Sequence, residues 1–330
     1  MSKILIAPTL DNREFDSEPR AQGIQDLGKI ADEVAFYTTG DFTAEHADGV
    51  VGIVANSALF HREFYEAAKD LRIIARWGVG FEKVNVDIAT EHGVIVTVSP
   101  VHRVTVAEYA IAQWMATLKR VYTLNRNSHA GNFQVIKTYE AAGSTLGIFG
   151  LGRIGQEVAK RARPLLGDEG RLLVCDIRPD IADIAAQYNA EVVDNPRTLF
   201  EECDAITLHL SGDDTVVTYD LLCAMKPHAS LINPSRGLLV NDEDVNRAIQ
   251  EDRLYYYVVD DPVNDTRAIH KDHPRIICTN HNAGITVESA IRLDLCCFGQ
   301  VTDAVEGRTP PHVLNQEVLD HPRVKAFLNT

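Results

Sequence analysis

Apolar residues fall in two patterns along this chain: short uninterrupted runs, and stretches where they recur every three or four positions. Runs at 3–7, 34–37, 49–55, 72–76 and within 91–100 predict strands. They are apolar throughout rather than alternating, which suits strands buried on both faces of a parallel sheet. Segments 20–27 and 61–71 between them carry helical spacing. Residues 105–126 then place Val106, Ile111, Trp114 and Leu118 on one face with no Gly or Pro, predicting a single long helix. After a loop-rich segment at 130–143 the alternation resumes. Strands are predicted at 146–149, 172–175, 191–193, 205–210, 230–233, 254–259 and 276–279. Helices are predicted at 153–163, 181–188, 198–203, 219–225 and 242–250, with a helical tail at Val287–Val305. Strands alternating with helices make an α/β protein whose parallel sheets are covered on both faces.

A chain of 330 residues suggests two domains. No apolar stretch approaches the ~20 residues of a membrane span, and the start at Met1 reads as a strand rather than a secretory leader. The six cysteines show no CxxC spacing and several sit in apolar runs, as buried free thiols do. That suits a reducing cytoplasm. No metal site is expected. The net charge of −15 argues against nucleic acid or an anionic membrane as partner. An anionic ligand must then be gripped by locally placed cations or amides.

The sharpest motif is Gly150-x-Gly152-x-x-Gly155. It follows a predicted strand, opens a predicted helix, and precedes by about 20 residues an acid, Asp176, ending a second apolar run. Gly150 suits a tight turn, Gly152 lets a pyrophosphate approach, and Gly155 lets the helix pack closely. The helix start, with Arg153 and Ile154, offers amides to phosphate. Asp176 suits a ribose 2′-OH and repels a 2′-phosphate, which points to NAD. Arg178 two residues on can serve a 2′-phosphate, leaving NADP open.

Ligands of open α/β sheets lie beyond the carboxyl ends of strands. Polar clusters follow three predicted strands: Asn233 with Arg236 and Gly237, Asp260 with Asp261, and Asn280 with His281 and Asn282. Arg can grip a carboxylate with paired hydrogen bonds and polarise the adjacent carbonyl. His exchanges a proton near neutral pH. Arg, His and a carboxylate together suit reduction of a 2-oxo acid. Gly78, Val79 and Gly80 follow another strand and expose amides that can form an anion nest. The same segment also reads as a plain tight turn.

These stretches resemble the D-isomer-specific 2-hydroxyacid dehydrogenase family from about Arg72 to about Gly284. The marks are Gly78-x-Gly80 with Val84, Val86 and Asp87, then Val106-Ala107-Glu108, the glycine motif, Asn233-x-x-Arg236-Gly237, and Thr279-x-His281-x-Ala283-Gly284. The resemblance implies a Rossmann NAD-binding domain at 104–285. It also implies a smaller flavodoxin-like substrate domain from both chain ends, 1–103 and 286–330, with the active site in the cleft between them. It assigns Arg236 to substrate binding and polarisation and His281 to acid–base work. The amides of Val79 and Gly80 would hold the substrate carboxylate. His209 and Asp260 would line the cofactor site with Asn233, and the assembly would be a homodimer.

The chain departs from the family around its catalytic carboxylate. Ungapped counting from Asp260 puts Asp265 at the family's Glu position, whereas a short deletion makes Asp261 the counterpart. Tyr256 and Tyr257 replace a small pair, and Asn280 replaces a Pro. The expected function is NAD-dependent interconversion of a small D-2-hydroxy acid and its 2-oxo acid. Arg76 and Arg103 are candidates for a second anionic group on the substrate. The alternatives are a cofactor-sensing, corepressor-like protein and a family branch oxidising a different small anion.

Overall fold

The computed structural model describes residues 1–328. The chain divides into two compact units, one made of residues 1–102 with those from 285 onward, the other of residues 103–284.

The first unit begins with β1 (Lys3–Ile6), α1 (Glu18–Leu27), β2 (Glu33–Phe36), β3 (Asp41–Phe42), β4 (Val50–Ala55), β5 (Leu59–Phe60), α2 (Arg62–Ala67), β6 (Ile73–Arg76), α3 (Val86–Glu91) and β7 (Ile95–Thr97). Five strands form one parallel sheet in the order β2-β1-β4-β6-β7. Counted along the chain this is 2-1-3-4-5, the flavodoxin-like order. The strands are apolar because both faces are covered: Ile4, Ile53, Ile73 and Ile95 are all fully buried.

The second unit opens with α4 (Arg103–Leu118) and α5 (Val121–His129). It continues with β8 (Thr145–Phe149), α6 (Arg153–Leu166), β9 (Arg171–Cys175), α7 (Ile181–Ala186), β10 (Glu191–Val192), α8 (Pro196–Glu202) and β11 (Ala205–Leu208). It closes with α9 (Tyr219–Ala224), β12 (Ser230–Asn233), α10 (Asp242–Gln250), β13 (Tyr256–Val259) and β14 (Ile276–Cys278). The parallel sheet runs β10-β9-β8-β11-β12-β13-β14, the Rossmann order 3-2-1-4-5-6 extended by one strand. Alternate residues of each strand feed opposite faces. Leu146, Ile148, Leu172 and Val174 pack with α4 and α6, while Phe149, Leu173, Cys175 and Leu208 pack with residues of α8, α9 and α10.

The chain then returns to the first unit through α11 (Val287–Val305) and α12 (Pro322–Phe327). Thr286 caps α11 by accepting from the Ser289 amide, the usual start signal for a helix. Gly23 on α1 and Gly52 on β4 let α11 lie close, because a Cβ on either would meet Phe298 or Val301.

Two local expectations need correction, and one further helix lies where none was expected. The long helix at 105–126 is two helices, broken at Arg120, whose φ of 49° is left-handed. That conformation costs a non-glycine residue about 1–2 kcal/mol. Stacking of the Arg120 guanidinium 4.0 Å over the Tyr255 ring offsets it. The helix at 61–71 shrinks to α2. The stretch before β7 holds α3, whose start the Asn85 side chain caps through the Ile88 amide.

Asn315, 1% exposed, stitches the returning chain to β7. Its Oδ1 accepts from the Val96 amide at 2.9 Å, and its Nδ2 donates to Thr90 Oγ1 and the Val94 carbonyl. Asn315→Ala strands those buried groups, so it should lower unfolding free energy by about 1–3 kcal/mol, read as a fall in the denaturant midpoint.

Candidate active site

The nucleotide turn sits where the sheet order reverses, between β8 and β11, which is where open α/β sheets place ligands. Gly150 has φ 95° and lies against the His209 carbonyl, so a side chain there would be both strained and obstructed. A Cβ on Gly155 would collide with the Gly150 carbonyl, which fixes how closely α6 approaches the turn. Above Gly152 there is open space: nothing lies within 4 Å of where a Cβ would stand. Gly152 is also the N-cap of α6 and supplies no capping side chain. The first amides of α6, at Arg153, Ile154 and Gly155, therefore face outward as a helix N-terminus suited to phosphate.

Asp176 stands at the end of β9. Its carboxylate accepts from the Leu151 amide at 2.6 Å and the Arg178 amide at 3.0 Å, which ties it to the glycine turn. Arg178 is turned aside by Asp180, which takes its Nε at 3.0 Å and its Nη2 at 2.8 Å. His209 follows β11 and bonds Thr207 Oγ1 through Nε2 at 3.0 Å. Its Nδ1 is shut away from solvent with no hydrogen-bond partner among the described residues. An open glycine, an uncapped helix start, an orphaned imidazole nitrogen and a ribose-type acid together fit a dinucleotide.

The polar ends of β12, β13 and β14 lie side by side. Asn233, 1% exposed, organises the loop after β12: its Nδ2 donates to the Arg236 carbonyl at 2.8 Å, and its Oδ1 accepts from the Ser235 amide. Its side chain is therefore engaged in shaping the loop that presents Arg236. The Arg236 guanidinium is half-buried, with Nη1 on the Ser235 carbonyl at 3.0 Å.

Asp260, at the end of β13, is 5% exposed and receives three donors. Oδ1 accepts from Thr279 Oγ1 at 2.6 Å and from the Asn282 amide at 2.8 Å, and Oδ2 accepts from the Ala283 amide at 2.6 Å. These bonds clasp the loop after β14. Within that loop His281 is exposed and holds a left-handed φ of 56°. That conformation is uncommon for a residue with a side chain, although His adopts it more readily than most.

The structure does not bring Asp261 or Asp265 to His281. Among the described residues no carboxylate pairs with that imidazole. Asp261 is drawn off by Arg267, whose side chain is 4% exposed and needs counter-ions. Arg267 reaches Asp261 Oδ2 at 3.2 Å and Asp242 Oδ1 at 2.6 Å, and Asp242 also holds His270 Nε2 at 2.9 Å. Gly237 must be glycine here, because a Cβ would strike the Arg267 guanidinium. Asp265 lies exposed at the start of a 3₁₀ segment.

In the first unit, Gly78 has φ 131° and its carbonyl accepts from the Ser99 amide. Among the described residues, the amides of Val79 and Gly80 donate to no acceptor. Arg76 corrects an expectation: it is 8% exposed, with Nε on the Gly80 carbonyl and Nη1 on the Ala55 carbonyl. It shapes the Gly78–Gly80 turn and is no free cation for a second anion. Arg103, in the second unit, is exposed but lies 3.3 Å from Glu157 Oε1 on α6, a tie between helices.

Residues 111–283 match the family model described as "D-isomer specific 2-hydroxyacid dehydrogenase, NAD binding domain". A glyoxylate reductase of Korarchaeum cryptofilum is 32% identical over 273 residues, 78% of this chain and 80% of that protein. The chain belongs to the D-isomer-specific 2-hydroxyacid dehydrogenase family. It is an NAD-dependent oxidoreductase acting on CH–OH donors, with NAD as its cofactor. A D-3-phosphoglycerate dehydrogenase of Methanocaldococcus jannaschii is 27% identical over 96% of this chain, but the chain spans only 60% of that longer relative. In fold, the apo D-lactate dehydrogenase of Escherichia coli matches with a TM-score of 0.76 at 22% identity, covering 94% of this chain and 99% of that one.

In this dehydrogenase the sequence pattern does not reveal Thr279 as a donor to Asp260, although Thr279 stands in the His281 motif. Nor does it reveal Arg267, Asp242 or Tyr109. A buried Arg among acids leaves no spacing signal, and Tyr109 lies on a helix far away in sequence. No helix among the described residues is long and apolar enough to cross a membrane. All six cysteines are free.

Two predictions follow from the cofactor side. Asp176→Ala should narrow the preference for NADH over NADPH by about tenfold, the worth of one charge-assisted hydrogen bond. Adding Asp180→Ala releases Arg178 and should narrow it further, read as the ratio of dissociation constants. The second concerns acid stability. Burial pushes the His209 imidazole down to about 3, so it stays neutral in the fold. The unfolded chain protonates it below about 6.5. As pH falls through that value the unfolded state gains a proton the folded state refuses, and stability drops by up to about 1.4 kcal/mol per pH unit. His209→Asn in the cofactor-free protein should therefore lose stability less steeply between about pH 6 and about pH 4.

Proposed function

We propose that the protein interconverts a small D-2-hydroxy acid and its 2-oxo acid, with Arg236 and His281 as the groups that meet the substrate. The observation that carries this reading is the shared sheet edge. Arg236, Asp260 and His281 follow adjacent strands β12, β13 and β14 of the sheet that also carries the glycine turn.

NADH supplies the hydride to the carbonyl carbon. The Arg236 guanidinium binds the substrate carboxylate and polarises the neighbouring carbonyl. The His281 imidazolium gives its proton to the carbonyl oxygen as that oxygen gains charge, and in oxidation the neutral ring takes the hydroxyl proton back. In the first unit, the amides of Val79 and Gly80, which donate to no acceptor among the described residues, suit an anion such as a carboxylate. Asp265, the carboxylate not claimed by Arg267, forms no ion pair with His281 here and must approach it during turnover to serve it.

Backbone carbonyls engage Arg76 and Glu157 engages Arg103, so this reading assigns neither to the substrate. That favours a substrate with one strong anion. Glyoxylate and hydroxypyruvate, named for several relatives, fit better than a phosphorylated acid. The cytoplasm is the proposed setting, supported by the free thiols. A homodimer is the proposed assembly, supported by Phe133 and Val135, 80% and 92% exposed on the segment after α5.

The test is NADH oxidation across glyoxylate, hydroxypyruvate, pyruvate and phosphohydroxypyruvate. The non-phosphorylated acids should turn over best. His281→Ala should lose about a hundredfold or more in kcat while keeping NADH affinity. Arg236→Lys should raise KM and lower kcat together, because a point charge cannot replace a planar fork. Asp265→Asn should shift the pH–rate profile, and an unchanged profile would remove Asp265 from the reaction. Tight NADH binding with no turnover on any acid would favour the cofactor-sensor reading instead.

A further inference from the structure

The Asp260 clasp extends one step beyond its carboxylate. Thr279 Oγ1 lies 2.6 Å from Asp260 Oδ1 and 2.7 Å from the Tyr109 hydroxyl. The proton directions follow from chemistry. An ionised carboxylate only accepts, so the Thr279 hydroxyl donates to Asp260. The Thr279 oxygen then accepts from Tyr109, which must donate. Tyr109 suits that role: it is half-buried on α4, and burial pushes its phenol well above the ordinary value, so it keeps its proton. The chain of donors runs from the Tyr109 phenol to the Thr279 hydroxyl and on to the Asp260 carboxylate. That carboxylate in turn holds the amides of Asn282 and Ala283, the two residues that follow His281.

His281 is held from both sides by this arrangement. Upstream, the Thr279 amide is pinned to the Val259 carbonyl at 3.0 Å and its side chain to Asp260. Downstream, two successive amides are pinned to the same carboxylate. The left-handed backbone of His281 is the conformation this clasp enforces. If Thr279 ceased to donate, the carboxylate would keep the Asn282 and Ala283 amides but lose its only side-chain tie to the residues before His281 among the described residues. Tyr109 donates to the threonine oxygen and so polarises its hydroxyl toward Asp260.

We propose that Tyr109 and Thr279 are positioning residues for the His281 acid–base group, acting through Asp260 on the loop that carries it. The proposal rests on the reading of His281 given above. It adds a helix residue and a strand-end residue, neither of which touches the substrate in that reading. Misplacing a reacting group by about 1 Å can cost on the order of a hundredfold in rate, so the effect should appear in kcat.

The experiment measures kcat, KM for the best 2-oxo acid, and the NADH dissociation constant in four variants beside wild type. Thr279→Val keeps the side-chain shape and deletes the donor. It should lower kcat by about tenfold or more, with KM and NADH affinity within about twofold. Thr279→Ser restores the hydroxyl and should return kcat to near wild type. Tyr109→Phe keeps the Thr279–Asp260 bond and should lower kcat about three- to tenfold, the effect of one neutral hydrogen bond. His281→Ala separates the two levels of the claim. If it is inactive while Thr279→Val and Tyr109→Phe keep full kcat, the positioning role is overturned and the His281 reading stands. If Thr279→Ser is as slow as Thr279→Val, the hydroxyl is not the operative group and the proposal fails. If His281→Ala keeps its rate, both readings fall together.

Discussion

The carboxylate of Asp260 is the constraint on which the loops that carry Arg236 and His281 depend. It is buried, and a buried anion is tolerated only where donors satisfy it. Here two backbone amides and one hydroxyl do so, all from the loop after β14. Its own amide donates to the Asn233 carbonyl at 3.0 Å, which joins it to the strand that presents Arg236. One side chain thus couples the Arg236 and His281 loops into a single rigid edge. Arg236→Lys perturbs that edge at the substrate, whereas Thr279→Val perturbs it from behind. The same two loops would otherwise be free to wander, as strand-end loops generally are.

Much of this was legible in the sequence. The strand runs, their parallel pairing, the glycine turn and Asp176 were all readable, because each expresses a local rule. A fully buried strand must be apolar, a tight turn needs glycine, and a ribose needs an acid at a strand end. The long helix was misread because its apolar spacing continues through Arg120, and nothing in that spacing reveals a stacking partner at Tyr255. Arg76 was misread for a related reason. A cation beside an anion nest looks like a ligand until its burial and its two carbonyl partners are seen. The pairing of Asp261 with Arg267 was likewise invisible, since it depends on which charge the fold buries.

The placement of cations ties these observations to function. The chain carries a net charge of −15, yet several of its arginines are buried and already engaged. Arg20 is held by Asp294, Arg267 by Asp242 and Asp261, and Arg76 by backbone carbonyls. Those three guanidiniums are held by partners inside the fold. On the proposed reading a small monoanionic acid is the substrate, with Arg236 supplying its guanidinium.

The most direct measurement is the configuration of the hydroxy acid formed from NADH and a prochiral 2-oxo acid such as pyruvate, determined by chiral chromatography. If Arg236 fixes the carboxylate and His281 delivers the proton from one rigid edge, the carbonyl presents a single face and the product is the D-isomer alone. Formation of the L-isomer or of a racemate would contradict the account, because a substrate held as described here cannot receive hydride on both faces.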